Sequence, residues 1–156
     1  MSPIREKAIT GLKAGDSFTI TRTFTEEETL AFGEISRDHN PVHYDDRFAG
    51  EKNLQGRICH GLLVGGMITE VGGQIGWLAS GMNFRFRRPV YFGDTVACVF
   101  TITEVDERNR ARAEAVLTNQ HGETVIEAWL AGVLPGEPER QIMAQSAAGS
   151  CITQKS

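Results

Sequence analysis

The sequence predicts an α+β fold in which a curled antiparallel sheet wraps one long apolar helix. Three observations carry that expectation. Residues 61–78 hold Leu62, Leu63, Val64, Met67, Ile68, Val71, Ile75, Trp77 and Leu78 with little polar interruption, and a helix apolar on most sides is buried all round. Six glycines, at 61, 65, 66, 72, 73 and 76, lie in the same stretch, and glycine lets a neighbouring backbone or side chain come close. The second half of the chain then alternates in character with the period of strands. There is no internal repeat, and 156 residues suit one domain with a proper core.

Taken in order, residues 1–15 read as a lead-in ending at the Gly15-Asp16 turn. Ser17 to Phe24, rich in Thr, Ile and Phe, suits a strand. Thr25 followed by three glutamates reads as a helix N-cap with acids in the first turn. That helix runs to about Ile35, with Leu30, Ala31 and Ile35 as its apolar stripe. A bend over Asp38–His43 comes next, then one helical turn over Asp45–Ala49 and a loop over Gly50–Arg57. The long helix is expected from Gly61 to Leu78, with Gly72-Gly73 as the place where it would break. Phe84 and Phe86 alternate with Arg85 and Arg87 as in a half-buried strand. Val96–Val105, Arg110–Asn119 and Thr124–Leu134 follow as a meander, joined by turns at 107–109 and 120–122. Residues 1–135 make the domain, and 136–156, polar and small, are expected to form a weakly packed tail.

The segment Ser36-Arg37-Asp38-His39-Asn40-Pro41-Val42-His43 carries the chemistry. Pro41 fixes its own φ and pushes Asn40 out of the helical region, so the chain must bend between Asp38 and His43. Such a bend can aim a carboxylate and an imidazole at one small volume, where a water would sit between them for general acid–base work. A polar loop closed by an Asx-turn would use the same residues. His39, His43 and His60 with Asp38 also form a possible metal-ligand set. The His39-x3-His43 spacing suits a helix face, but Pro41 stands inside it, so no metal is expected.

The same segment resembles the signature of the MaoC-like, (R)-specific enoyl-CoA hydratases, which have a hot-dog fold. Asp38, Asn40, Pro41 and His43 match its core, with Asp45 or Asp46 and Ala49 following. Ile58-Cys59-His60-Gly61-Leu62-Leu63 resembles a second block, and Gly93-Asp94 after Arg88-Pro89-Val90 a third. The resemblance covers roughly residues 10–135. Arg37 departs from it, because relatives usually carry Gly there; a positive φ would strain an arginine.

The resemblance implies a single hot-dog domain and hydration of a trans-2-enoyl-CoA to the (R)-3-hydroxyacyl product, or the reverse, within fatty acid metabolism. Asp38 and His43 would be catalytic. The Gly61 amide at a helix start would bind the thioester oxygen, since free N–H groups and the helix dipole favour negative charge there. Asn40, Pro41 and His60 would support the loop, and Thr69 would line the acyl pocket. Arg85 and Arg87, with Arg88, are candidates for the coenzyme A phosphates. No cofactor is expected, because coenzyme A arrives as part of the substrate. A homodimer or higher even oligomer is expected, as members of this family build each site at a subunit seam. A hot-dog thioesterase and a non-catalytic acyl-thioester binding domain remain open as alternatives; the Asp38–His43 pair argues against the second, and fold alone decides neither.

Composition excludes other classes. The net charge of −4 leaves no basic footprint for nucleic acid or a membrane surface. Glu70 and Gln74 interrupt the apolar run, which argues against a membrane span. Cys59, Cys98 and Cys151 form no CxxC pair or even-numbered disulfide set. With no apolar leader in the first residues, a cytoplasmic location is the expectation. No Gly-rich phosphate loop precedes the long helix.

Overall fold

The computed structural model describes residues 1–149. Helix α1 (Pro3–Ile9) leads into strand β1 (Ser17–Thr23) and helix α2 (Glu26–Ser36). A 3₁₀ turn (Pro41–His43), helix α3 (Asp46–Glu51) and helix α4 (Gly61–Ile75) follow. Strands β2 (Leu78–Phe86), β3 (Thr95–Val105), β4 (Arg110–Thr118) and β5 (Thr124–Val133) precede helix α5 (Glu137–Gly149). The five strands form one antiparallel sheet in the order β1-β3-β4-β5-β2, curled round α4, so the expected α+β architecture holds.

The core lies between α4 and the concave face of the sheet. Val64, Met67, Ile68, Val71 and Ile75 point inward from the helix, and Phe100, Ile102, Leu117 and Ile126 meet them from the strands. Each wholly buried side chain of this size is worth roughly 1.5–3 kcal/mol of hydrophobic burial. The strands alternate in burial, which fixes their register because a one-residue slip would turn every apolar side chain to solvent.

Five expectations need correction. Helix α2 turns Leu30, Ala31 and Ile35 to solvent and buries Thr29 and Gly33 instead. The long helix ends at Ile75, because Gly76 takes a left-handed φ of 72° and closes it, while Gly72-Gly73 stay helical. The helix is not buried all round: Leu62, Thr69, Glu70 and Gly73 face outward. Strand β2 starts at Leu78 rather than Phe84, and as an edge strand it leaves Leu78, Met82 and Phe86 exposed. The lead-in contains α1, started by Ser2 accepting the Arg5 N–H and by a proline in the first turn. Arg5 and Ser2 tie α1 to α4, through the Gly73 carbonyl at 2.9 Å and the Gln74 side chain at 2.6 Å.

The polar segment after residue 135 is helical over α5, which sets Met143 against the core beside Gly76. The remainder of that segment, including Cys151, lies outside the described residues. The Gly93-Asp94 block makes a turn. Gly93, at φ 91°, donates to Phe24, and the Asp94 carboxylate accepts from the Tyr91 amide and from Gln120.

Candidate active site

Helix α2 is started by a full capping box between Thr25 and Glu28. It ends at Arg37, which adopts the left-handed region at φ 59°, ψ 23°. A non-glycine residue held there stores of order 1–3 kcal/mol. The arginine therefore keeps the conformation that a glycine would take without strain.

Two Asx-turns then shape the bend. The Asp38 carboxylate accepts the Asn40 N–H at 3.2 Å, and the Asn40 side chain accepts the Val42 N–H at 3.2 Å. Pro41 opens the 3₁₀ turn that carries His43 inward. The loop is therefore built of Asx-turns, and it brings the Asp38 carboxylate to within 3.8 Å of the His43 ring.

His43 is buried, at 6% exposure. Its Nδ1–H donates to the Ile58 carbonyl at 2.8 Å, so in the neutral ring Nε2 carries the lone pair. That Nε2 lies 3.8 Å from Asp38 Oδ2, too far for a direct hydrogen bond and close enough for one water to touch both. Burial pushes the His43 pKa below its ordinary value, and the neighbouring His60 acts in the same direction. The Ile58 hydrogen bond and the Asp38 charge oppose this without reversing it. The Asp38 side chain is 51% exposed and faces the opening.

His60 is 1% exposed at the N-cap of α4. Its Nε2–H donates to the Asp38 backbone carbonyl at 2.9 Å, and its ring stacks on His43 with centroids 3.8 Å apart. Ile58 fastens the assembly from the other side, giving its N–H to Val42, while Cys59 bonds Val90. Burial raises the thiols of Cys59 and Cys98 to about 11 and about 12, so both stay protonated and inert at neutral pH.

These groups sit at the polar end of a largely apolar cavity of 640 Å³. Phe32, Leu54, Leu62, Phe86 and Ile126 supply its apolar wall, and Gly61 opens the helix beside it. As a first-turn residue Gly61 has no intrahelical acceptor for its N–H. A Cβ at Gly61 would stand 2.6 Å from the Phe86 ring, so the glycine is also required by packing.

The structure brings Asp38, His43, His60 and Gly61 together and leaves other candidates elsewhere. Thr69 does not line this cavity. It is exposed, returns its hydroxyl to the Gly66 carbonyl at 2.7 Å, and borders a separate 230 Å³ cavity with Trp77 and Met82. Arg85 lies over Trp129, also away from the cavity. Arg87 and Arg88 do line it, paired with Glu127 at 2.7 Å and Glu123 at 3.6 Å. Ligand atoms of Asp38, His43 and His60 all lie within 4.8 Å of one another. His39 belongs to neither set, its ring lying beside Tyr44 instead. A metal held through His60 Nε2 would displace the His60–Asp38 hydrogen bond.

Sequence reasoning missed Ile58 as the orienting carbonyl, Tyr44, and the aromatic wall of Phe32 and Phe86. The signal for Tyr44 was Gly33 in mid-helix, where a Cβ would fall 1.7 Å from the Tyr44 hydroxyl.

Fold and site together define a hot-dog protein with an acid–imidazole pair over the start of its central helix. The MaoC like domain model matches residues 11–125, and the chain belongs to the MaoC-like family. It is 29% identical over 120 residues to the (R)-specific enoyl-CoA hydratase of Rhodospirillum rubrum, covering 74% of this chain and 83% of that one. It is 36% identical over 87 residues to the mitochondrial 3-hydroxyacyl-[acyl-carrier-protein] dehydratase of Arabidopsis thaliana. That match covers 54% of this chain and about half, 52%, of the relative's length. Among solved structures, the (R)-hydratase PhaJ1 of Pseudomonas aeruginosa superimposes with a TM-score of 0.75 at 29% identity, covering 83% of this chain and 86% of that one.

Proposed function

We propose that this hydro-lyase adds water across the double bond of a trans-2-enoyl-CoA to give the (R)-3-hydroxyacyl-CoA, or runs the reverse dehydration. The observation that carries the reading is the convergence of the Asp38 carboxylate and the free Nε2 of a neutral His43 on one volume beside the start of α4.

In the hydration direction one water donates to both groups. Its oxygen forms a bond to the β-carbon as an O–H bond breaks, and that proton passes to Asp38 while His43 orients the water. The electron pair of the double bond moves onto the thioester carbonyl, where the Gly61 N–H and the α4 dipole stabilise the oxyanion. The Asp38–His43 pair returns a proton to the α-carbon on the same face, restoring both groups. The two share one water across 3.8 Å, so the relay belongs to the pair. No metal or other cofactor is required for these steps.

Arg87 and Arg88 at the cavity edge suit the coenzyme A phosphates. Arg85 would reach a substrate only in a partner subunit's site. A homodimer is part of the proposal: β2 is an open edge, and its exposed Leu78, Met82 and Phe86 call for cover. Its proposed compartment is the cytoplasm, in line with the free thiols of Cys59 and Cys98. Among the described residues, no helix is long and apolar enough to cross a membrane.

A chain-length series of enoyl-CoA substrates, followed at the absorbance of the conjugated thioester, tests the reaction. Loss of absorbance is expected, with no signal when product is passed to an (S)-specific 3-hydroxyacyl-CoA dehydrogenase. A strong signal there refutes the stereochemistry, and release of free thiol in place of hydroxyacyl product assigns the chain to the thioesterases.

A further inference from the structure

We infer that His60 and Tyr44 are positioning residues: together they clamp the Asp38 peptide and hold the Asp38–His43 pair in register for the proposed hydration, on which this inference rests. The Asp38 carbonyl receives two side-chain donors from outside its own turn. His60 Nε2–H comes from the α4 N-cap at 2.9 Å, and the Tyr44 hydroxyl, behind the 3₁₀ turn, reaches it at a longer 3.4 Å. Backbone carbonyls in surface loops are ordinarily left to water.

Three independent observations give the clamp a purpose beyond filling space. His60 is almost wholly buried, yet among the described residues its Nδ1 has no hydrogen-bond partner. A buried polar atom left unpaired is costly, so the ring is not placed to satisfy itself. It spends its N–H on Asp38 while its face packs on His43, and one side chain thereby touches both members of the pair. Tyr44 is given its place by Gly33, where any larger residue would collide with the phenolic oxygen. Arg37, the residue before Asp38, is held in the left-handed region. A strained dihedral persists only where its surroundings over-determine it. The His60 and Tyr44 donors supply that constraint one residue downstream, at the position where relaxation of Arg37 would swing the Asp38 carboxylate away from His43.

The experiment compares H60F, which keeps a ring but removes the donor, with H60Q, which restores an N–H. It adds Y44F, R37G and the H60F/R37G double variant. H60F should lower kcat tenfold or more with KM within threefold, because a misplacement of about 1 Å costs on the order of a hundredfold. H60Q should recover at least threefold over H60F. R37G alone should stay within twofold of wild type, and added to H60F it should raise kcat at least threefold, since glycine holds the turn without strain. Amide hydrogen exchange at Asn40 and Val42, whose N–H groups close the two Asx-turns, should quicken at least tenfold in H60F and less in Y44F. A folded H60F with wild-type kcat, a change confined to KM, or unaltered loop exchange overturns the clamp. If H60F does not fold, Y44F decides through the same exchange measurement and its rescue by R37G. Should the wild-type protein fail to hydrate any enoyl-CoA, the reaction is refuted, and the exchange result still decides the clamp.

Discussion

Replacing Asp38 by Asn removes a charge and little else. The Asn40 N–H now bonds Asp38 Oδ1, and an amide oxygen can accept it equally, so the bend should survive. The side chain is half exposed, and such substitutions change stability by only about 0.5 kcal/mol. What is lost is the carboxylate 3.8 Å from His43 Nε2. A positioned acid–base group contributes about 10²–10⁴ in rate. At about 1.36 kcal/mol per tenfold, that is roughly 2.7–5.4 kcal/mol of barrier.

D38N should therefore lose at least about a hundredfold in kcat while its urea midpoint barely moves. H43A is the less clean partner, because it strips the Ile58 carbonyl of its donor and opens the space beneath His60. It should lose similar activity and about 1–3 kcal/mol of stability. The double variant should be little worse than either single one, as groups acting as a unit are not additive. Initial rates of enoyl-thioester loss and a urea titration measure both quantities. A folded D38N with near-native kcat would refute the assignment of Asp38 as base.

Three further outcomes are expected. His43 must be neutral to accept from water, and burial lowers its pKa, so kcat/KM should hold through pH 6.5 and fall only in more acid solution; the same group makes stability decline as pH drops from its unfolded value near 6.5 towards the lower folded one, because the unfolded state then binds more protons. An acid limb centred above 6.5 would contradict this. Exhaustive chelation should leave activity intact, and stoichiometric zinc whose removal abolishes turnover would transfer Asp38, His43 and His60 to a metal centre. Sedimentation at assay concentration should give a dimer; a fully active monomer would contradict the shared-site arrangement.

Much of the fold follows from local rules. The meander strands were legible because one face of each packs on the core and the other meets solvent, which imprints a period of two on Thr95–Val105, Arg110–Thr118 and Thr124–Val133. The start of α2 was legible from Thr25 and Glu28, and the bend at Asn40-Pro41 from the fixed φ of proline. The beginning of β2 was not, because an edge strand with both faces partly exposed carries no such period. Helix α1 escaped notice because it buries only Ala8 completely and is held by hydrogen bonds to α4, over 68 and 72 residues of chain.

The site divides in the same way. Spacing alone placed Asp38 and His43 on one bend, since five residues with a proline between them have few ways to run. The tertiary structure decided which imidazole nitrogen is free, because the Ile58 carbonyl that takes the other comes from 15 residues away. It decided that His60 joins the pair, that Thr69 and Arg85 stand apart from the cavity, and that Gly61 and Gly33 leave room for aromatic side chains on other elements. Backbone preferences act between neighbours and are written in the sequence; a hydrogen bond or ring contact between distant segments exists only once packing has brought them together.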